Sequence, residues 1–198
     1  MSVLFQYYRP VSLMIPVRWN ILFLLINGLM VGALMKERSE ASDMDQTMKD
    51  LFESEFERMG FTAVEFRRLF STSEKIVLPT GTPLSIEKET QEKTYFLLSG
   101  QVDVKSGDSI IATVRRNHFI GEMSFLSYLQ EGTSTEAAAD CYMSDKEPAV
   151  VFVWDNTVLR DYLIKDDNRG VKNALQASIS NDLRKKIQRM TTTKRSKN

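Results

Sequence analysis

Short strand-like segments separated by glycine turns occupy the middle of the chain, and they constrain its fold more than any other feature. In each segment, apolar residues alternate with polar ones or form a brief apolar run. The segments with this character are Ile76–Leu78, Thr94–Ser99, Gln101–Lys105, Ile110–Val114 and Val150–Trp154. Short strands at this spacing with glycine turns predict an all-β barrel or jelly roll.

Helical patterns flank these strands. On the N-terminal side, Asp43–Phe56 has the spacing of an amphipathic helix, which Gly60 ends, and Thr62–Glu65 has the pattern of a capping box that opens a second helix. On the C-terminal side, Leu159–Leu163 predicts one helix and Val171–Met190 a longer one. The sequence therefore predicts an α+β fold in which N- and C-terminal helices flank the barrel.

The predicted C-terminal helix has an apolar stripe and a basic end. The stripe comprises Leu175, Ile179, Leu183, Ile187 and Met190. The basic residues at the end are Lys185, Lys186, Arg189, Lys194, Arg195 and Lys197. We interpret them as a solvated helix end, with contact to anionic lipid or nucleic acid as the alternative. The predicted domain spans residues 43–190, and a polar basic tail follows at 191–198.

The first 36 residues form a separate hydrophobic segment. Arg18 is the only charged residue in Val11–Met35. Counted from Val17, the apolar run is marginally long enough to cross a bilayer, which takes about 20 residues. Gly28 and Gly32 have the spacing of a close helix contact in lipid. We predict a membrane helix of undetermined orientation; a helix docked on a partner and a leftover targeting signal are the alternatives.

The composition restricts the kinds of site that the chain can form. It has 198 residues, and its 26 basic and 26 acidic residues leave no net field to attract nucleic acid. One cysteine, Cys141, allows no internal disulfide, and one histidine, His118, is too few for a common zinc or cupin-type site. We interpret Cys141 as a core thiol, with a reactive thiol as the alternative. We interpret His118 as a structural residue, with a pH-sensitive neighbour of a ligand pocket as the alternative. The sequence has no nucleophile–base pair or phosphate loop, so we predict no catalytic residue, cofactor or metal.

A glycine–glutamate pair lies in the stretch that is most informative about function. The stretch is Phe119-Ile120-Gly121-Glu122-Met123-Ser124-Phe125-Leu126, and Thr133–Asp140 follows it. It resembles the phosphate-binding cassette of cyclic-nucleotide-binding domains. In such a cassette a glycine turn exposes backbone amides, a glutamate accepts from the ribose, and an arginine binds the cyclic phosphate. Gly121 and Glu122 match the first two roles, but no arginine or lysine follows until Lys146.

The order of helix, small barrel, cassette and C-terminal helices is that of the cyclic-nucleotide-binding domain, and within that superfamily the chain most resembles the Popeye-domain family. The similarity rests on the preceding hydrophobic segment and on short motifs in the family's order: Tyr8-Arg9-Pro10-Val11, Leu51-Phe52, Phe66-Arg67-Arg68-Leu69, Glu87-Lys88-Glu89-Thr90, Leu97-Leu98-Ser99-Gly100 and Val153-Trp154. Members of that family are membrane proteins with a cytosolic domain of this fold, and they are regarded as cyclic-AMP binders. The resemblance implies a ligand site at Gly121, Glu122, Met123, Ser124, Ser134, Thr135, Glu136 and Ala137.

Two departures from these patterns affect the predicted site. Popeye proteins have an Asp-Ser-Pro-Glu element where this chain has Ile120–Met123. The usual cassette has an arginine where this chain has Glu136, and a carboxylate there would repel a cyclic phosphate. Losing a bidentate charged contact costs on the order of a few kcal/mol, or two or more decades in affinity. Popeye proteins also lack that arginine, so the resemblance leaves binding through backbone amides and hydroxyl groups.

Each predicted site residue also has a simpler interpretation. Gly121 fits a tight turn, Glu122 fits a surface or capping carboxylate, and Ser134 and Thr135 fit an ordinary loop. Ala137–Ala139 fits a strand or short helix against the barrel.

Two functional hypotheses follow. The first is a non-catalytic cyclic-AMP receptor domain, tethered to a membrane with the barrel in the cytosol. The second is a ligand-free barrel that serves as an interaction or dimerisation module, with contacts through the C-terminal stripe and the Gly28/Gly32 pair. Popeye proteins normally have more than one membrane helix, which leaves open whether this chain is N-terminally truncated.

Overall fold

Two units make up the chain, Met1–Asp45 and Gln46–Asn198. The computed structural model describes residues 14–42, 44–107, 109–133 and 135–195. The first unit contains the helix α1 (Met14–Ser42). Its segment Pro16–Met35 is long and apolar enough to cross a bilayer, and none of it is buried. The predicted N-terminal hydrophobic helix is therefore confirmed as a helix.

In the described residues of the second unit, eight strands lie between N-terminal and C-terminal helices. The N-terminal helices are α2 (Gln46–Leu51), which continues as a π-helical turn (Phe52–Phe56) and a 3-10 turn (Glu57–Met59), and α3 (Ala63–Ser71). The strands are β1 (Glu74–Leu78), β2 (Pro83–Ser85), β3 (Lys93–Ser99), β4 (Gln101–Ser106), β5 (Ser109–Arg115), β6 (His118–Ile120), β7 (Asp140–Met143) and β8 (Ala149–Asp155). Helix α4 (Glu122–Glu131) lies between β6 and β7, and α5 (Asn156–Leu163), a 3-10 turn (Asp166–Asn168) and α6 (Arg169–Arg195) follow β8.

The strands form two antiparallel sheets, ordered β1-β8-β3-β6 and β2-β7-β4-β5. Apolar side chains from both sheets meet in one buried cluster: Leu84, Leu97, Val102, Ile120, Met143, Ala149 and Val151. The two sheets therefore pack face to face as an open, jelly-roll-like sandwich rather than a closed barrel. The predicted α+β fold with a small jelly roll between helices is confirmed.

An aromatic cluster joins the first sheet to the N-terminal helices. Phe56 is 1% exposed, and its ring lies within 5.6 Å of the rings of Phe61, Phe66, Phe70 and Phe96, centroid to centroid. Because side chains alternate along a strand, β3 turns Leu97 into the sandwich and Phe96 toward the helices. This second core fixes β3, and β6 beside it, against α2 and α3.

Several local predictions differ from the structure. The predicted helix Asp43–Phe56 is interrupted by the π-helical turn, which brings Phe56 into the aromatic cluster. The three-residue strands β2 and β6 and the four-residue strand β7 were not predicted, because such short strands show too little alternation to recognise. Ala137 forms only an isolated bridge, with Glu87, instead of a strand or helix. Helix α6 continues past Met190 to Arg195.

Candidate functional site

Gly121 connects β6 to α4 in a conformation that favours glycine. Its φ is 78°, in the left-handed region. A Cβ at this position would lie 2.8 Å from the carbonyl oxygen of Lys93 and 2.9 Å from Nε2 of Gln91. Gln91 is itself buried and donates to the carbonyl oxygens of Leu84 and Lys93. The tight-turn interpretation of Gly121 is therefore geometrically correct, and the same turn starts α4 at the predicted site.

Glu122 is a buried, paired carboxylate. The residue is 6% exposed, and its Oε1 accepts a hydrogen bond from Nζ of Lys186, 2.7 Å away. A buried carboxylate requires such a partner because the ionised form is otherwise strongly destabilised. The side chain is thus not the surface carboxylate of the simpler interpretation. The side chain of Met123, by contrast, is exposed.

Two hydrogen bonds join the halves of the predicted site. Oγ of Ser124 donates to the carbonyl oxygen of Glu136 at 3.1 Å, and Oγ1 of Thr135 donates to the carbonyl oxygen of Ser124 at 3.3 Å. The first turn of α4 and the segment before β7 are therefore neighbours, as the cassette resemblance requires. Both hydroxyl protons are used within the protein, which leaves these side chains only as acceptors. Ser134 lies outside the described residues.

The segment between β2 and β3 lies along the second half of the site. The amide of Ala137 donates to the carbonyl oxygen of Glu89 at 2.8 Å, and the carbonyl oxygen of Ala137 accepts from the amide of Lys88 at 3.0 Å. The amide of Gln91 donates to the carbonyl oxygen of Thr135 at 3.1 Å. The Ala137 amide is thus already bonded, and it would have to leave Glu89 in order to bind an anion.

Helix α4 begins with amides that the helix itself cannot satisfy. Its first internal bond runs from the amide of Phe125 to the carbonyl oxygen of Gly121, at 3.2 Å. The amides of Glu122, Met123 and Ser124 precede that bond and have no acceptor within the helix. They also lie at the positive end of the helix dipole. The part of the site that suits an anion is therefore the backbone at the start of α4.

Helix α6 holds the outer edge of β6 through charged side chains. β6 is the last strand of its sheet, so one side of its backbone has no neighbouring strand. There the amide of Phe119 donates to Oδ2 of Asp182 at 3.1 Å, and its carbonyl oxygen accepts from Nζ of Lys186. Nζ of Lys186 also lies 3.1 Å from Oδ2 of Asp182. We call Asp182, Lys186 and Arg189 the α6 clamp.

His118 is a structural member of this arrangement. The residue is 3% exposed, and its Nδ1 forms a short hydrogen bond with Oδ1 of Asp182. Nη1 of Arg189 lies 2.7 Å from its Nε2. Because Arg189 can only donate, the two contacts fit the neutral tautomer in which Nδ1 donates and Nε2 accepts. The structural interpretation of His118 fits this geometry, and the residue directly precedes the cassette stretch.

The clamp charges shift one another's ionisation. Burial opposes the charged form of Asp182, but the hydrogen bond from His118 and the charge of Lys186 hold the pKa of Asp182 below its ordinary value. Burial likewise opposes the charged form of Lys186, but the carboxylates of Glu122 and Asp182 raise the pKa of Lys186. Burial is also the main cause that raises the pKa of the partly buried Cys141 thiol. Asp182 and Lys186 therefore favour the ion-paired state near neutral pH.

The sequence interpretation placed Lys186 at a solvated helix end, and the structure contradicts this. Its side chain is only 18% exposed, while its neighbour Lys185 is 40% exposed and pairs with Glu55. The available signal was the i, i+4 spacing of Asp182 and Lys186, which is also the spacing of ordinary surface pairs. Nothing local indicated that this pair contacts Glu122, 64 residues earlier.

Comparison with protein families identifies the chain. The family model described as POPDC1-3, that of the Popeye domain, matches residues 2–193. The chain belongs to the Popeye-domain family. A comparison with curated protein sequences found no match for this Popeye-domain chain.

Solved structures place the Popeye domain described here in the cyclic-nucleotide-binding fold. A cyclic-nucleotide-binding domain from Methylobacillus flagellatus KT has a TM-score of 0.58 at 21% identity, over 74% of this chain and 84% of that one. CLP of Xanthomonas campestris, described as a c-di-GMP-responsive global regulator, has a TM-score of 0.51 at 19% identity, over 68% and 63%. The C-linker and CNBHD of zELK channels, crystallised with cAMP, give 0.50 at 17%, over 74% and 67%. At these identities the likeness defines the fold.

Proposed function

We propose that this Popeye-domain chain is a non-catalytic cyclic-nucleotide receptor, specific for cyclic AMP, that α1 tethers to a membrane with the folded domain in the cytosol. The observation that carries the proposal is the pair Gly121–Glu122 at the start of α4, in a domain of the cyclic-nucleotide-binding fold. The glycine turn starts α4, whose first amides have no acceptor within the helix, and Glu122 supplies a buried acceptor beside them.

In the proposed complex the cyclic phosphate binds the amides of Met123 and Ser124, and a ribose hydroxyl donates to Glu122. Amides and a helix terminus provide partial charge where the usual cassette provides an arginine. Glu136 lies next to the start of α4, because its carbonyl oxygen accepts a hydrogen bond from Ser124 in the first turn of that helix. The residue is exposed. Binding is therefore expected to be weaker than in a cassette with arginine.

Calorimetric titration of the full chain in lipid nanodiscs with cyclic AMP and cyclic GMP tests this site. We expect Glu122→Gln to abolish or strongly weaken binding, because a neutral amide replaces the charged carboxylate that accepts a hydrogen bond from the ribose hydroxyl. We expect Glu136→Arg to tighten binding by about two decades, because it restores a bidentate cation and removes a repelling carboxylate. Glu122→Gln changes the ribose half of the site and should weaken binding, whereas Glu136→Arg changes the phosphate half and should tighten it.

Unchanged affinity in both variants would show that a nucleotide binds elsewhere. Absence of heat for the wild type at millimolar nucleotide, together with absence of heat for Glu136→Arg, would reject the receptor function. Tighter binding of cyclic GMP than of cyclic AMP would reject the specificity while keeping the site.

One observation favours the alternative function, a ligand-free interaction or dimerisation module. The hydroxyl protons of Ser124 and Thr135 and the amide of Ala137 are bonded within the protein, so much of the predicted phosphate site is already occupied. The predicted contact stripe is only partly available, because Leu175 and Ile179 are buried in the domain and Ile187 is 59% exposed. A dimer through α6 would therefore have to use the end of that helix.

The membrane tether predicts that the full chain stays in the membrane pellet when cell membranes are extracted with alkaline carbonate. The reason is the exposed apolar surface of α1, for example Leu25, which is 60% exposed. A double variant, Leu25→Lys with Leu29→Lys, places two charges in the span and should move the protein to the supernatant. Release of the wild-type chain by carbonate would contradict the tether.

A further inference from the structure

Lys88 has a backbone conformation that lysine rarely adopts. Its φ is 67°, in the left-handed region. The residue lies in a tight turn between β2 and β3, in which the amide of Glu89 donates to the carbonyl oxygen of Ile86 at 3.0 Å. Lys88 is the third residue of this turn, where a positive φ favours glycine or asparagine. A lysine here is therefore less favourable for the fold than a glycine.

The lysine side chain makes no contact within the domain that would offset this strain. Among the described residues, Asn117 is the other non-glycine residue with a positive φ, 64°. Asparagine tolerates that region, and Nδ2 of Asn117 donates to Oε1 of Glu55 at 3.4 Å. Lys88, in contrast, is exposed, and its ammonium forms no hydrogen bond or ion pair within the part of the chain that the structure describes. Its positive charge is thus available to a ligand.

Bonds to the second half of the predicted site hold the turn in place. The amide of Lys88 donates to the carbonyl oxygen of Ala137 at 3.0 Å, and the amide of Ala137 donates to the carbonyl oxygen of Glu89 at 2.8 Å. Oδ1 of Asp140 accepts from the amide of Glu87 at 2.7 Å. A strained residue persists only where its surroundings fix it, and these bonds fix Lys88 beside Ala137.

The same segment also borders the glycine turn. The amide of Gln91 donates to the carbonyl oxygen of Thr135 at 3.1 Å. The side chain of Gln91 packs against Gly121, with Nε2 2.9 Å from the place that a Cβ on Gly121 would take. The segment between β2 and β3 therefore touches both halves of the predicted site.

The position of Lys88 brings its charge within reach of the start of α4. The carbonyl oxygen of Glu136 accepts from Oγ of Ser124 in the first turn of that helix. The backbone of Glu136 and Ala137 thus separates this turn from Lys88. Lysine has a flexible four-carbon stem, which can carry the ammonium past one stretch of backbone.

We propose that Lys88 supplies the cation for the cyclic phosphate that the cassette stretch lacks. This inference rests on the proposed function. The phosphate binds the first amides of α4 on one side and the ammonium of Lys88 on the other. A charge-assisted contact is stronger than one to a neutral donor, and the ammonium also offsets the repulsion between the phosphate and Glu136.

Replacing Lys88 with glycine separates a ligand contact from a structural role, because glycine removes the charge and accepts the positive φ. The full chain in nanodiscs is titrated with cyclic AMP and melted without it. We expect Lys88→Gly to weaken binding about tenfold while the melting temperature stays the same or rises. Lys88→Arg keeps the charge and should bind within about threefold of the wild type.

Lys165→Gly is the matched control. Lys165 is also exposed, and it precedes the 3-10 turn Asp166–Asn168, where glycine is well tolerated. The substitution removes the same charge from another part of the domain and should leave the affinity unchanged. Unchanged affinity of Lys88→Gly, or an equal loss in Lys165→Gly, overturns the inference.

Adenosine identifies the group that Lys88 contacts, because it lacks the phosphate of cyclic AMP. Its affinity is measured by competition with cyclic AMP in the wild type and in Lys88→Gly. We expect the substitution to leave adenosine binding unchanged. An equal weakening of adenosine and cyclic AMP would mean that Lys88 acts through the shape of the site, which overturns the phosphate contact.

The two proposals fail in different ways. If the wild type binds no cyclic nucleotide at millimolar concentration, the receptor function is rejected, and the inference that rests on it is rejected as well. If the wild type binds and Glu122→Gln does not, but Lys88→Gly binds as the wild type does, the receptor function stands and only the role of Lys88 is rejected.

Discussion

Replacing Asp182 with alanine is expected to lower the free energy of unfolding by about 3–5 kcal/mol, the usual effect of removing one partner of a buried ion pair. Asp182 has a side chain that is 6% exposed and binds three groups: the ring of His118, the amide of Phe119 and the ammonium of Lys186. The variant would leave the Phe119 amide without its acceptor and Lys186 with one carboxylate instead of two. Urea denaturation of the full chain in detergent, followed by circular dichroism, measures the change.

Asp166→Ala provides the matched control. That carboxylate is 97% exposed and pairs with Arg169, itself 78% exposed, in one turn of helix. An exposed pair contributes at most about 1 kcal/mol, so the control should unfold almost as the wild type does. Equal effects of the two alanine substitutions would show that the clamp does not hold β6.

The pH dependence of stability gives a second readout at Asp182. The pKa of Asp182 is below its ordinary 3.8 in the folded protein, so its contribution is complete above about pH 4 and is lost as the pH falls through the folded value. The pKa of Lys186 is above its ordinary 10.5, so its contribution is complete below that value and is lost as the pH rises through the folded one. Asp182→Asn should therefore lose less stability than the wild type on acidification from pH 6 to pH 3.

Local signals explain the elements that the sequence predicted. Thr62 and Glu65 form both bonds of the predicted capping box, with the Glu65 amide 3.2 Å from Oγ1 of Thr62 and the Thr62 amide 2.9 Å from Oε2 of Glu65. Gly60 ends the preceding turn with φ 92°. In both cases the interacting groups lie within three residues, so the pattern contains all the information.

Contacts between distant residues explain what the sequence did not predict. The strand β6 has three residues, and its outer edge is completed by α6 rather than by another strand. The side chains of Glu122 and Lys186 meet only because the jelly roll folds the last helix back onto β6. No period or spacing near either residue specifies that contact, so the sequence alone assigned Lys186 to solvent.

The predicted site likewise has a part that the sequence indicated and a part that depends on contacts seen only in the structure. The order of glycine turn, glutamate and later small residues indicated which segments would meet, and Ser124 and Glu136 do lie together. The sequence could not show that the hydroxyl groups of Ser124 and Thr135 bond to backbone carbonyl oxygens. Because these hydroxyl protons are already bonded, we expect the phosphate to bind the amides at the start of α4.

Phe56→Ala is expected to destabilise the domain by about 3–5 kcal/mol, the usual cost of emptying a buried aromatic position. Phe56 is 1% exposed and stands at the centre of the aromatic cluster, with the ring of Phe66 at 5.1 Å and that of Phe96 at 5.4 Å. These neighbours come from α3 and β3, which the rest of the sheet holds in place. The cavity should therefore stay largely open, and urea denaturation should show the full loss.

Phe52→Ala is the control within the same π-helical turn. Phe52 is only partly buried, and its ring pairs with that of Phe66 at 5.4 Å, so its removal should cost clearly less. The ring of Phe56 also lies 6.3 Å from that of Phe119, whose backbone the α6 clamp holds. Phe56→Ala should consequently speed amide exchange at Phe119 more than Phe52→Ala does. Equal stability losses in the two variants would show that the π-helical turn does not serve to bury Phe56.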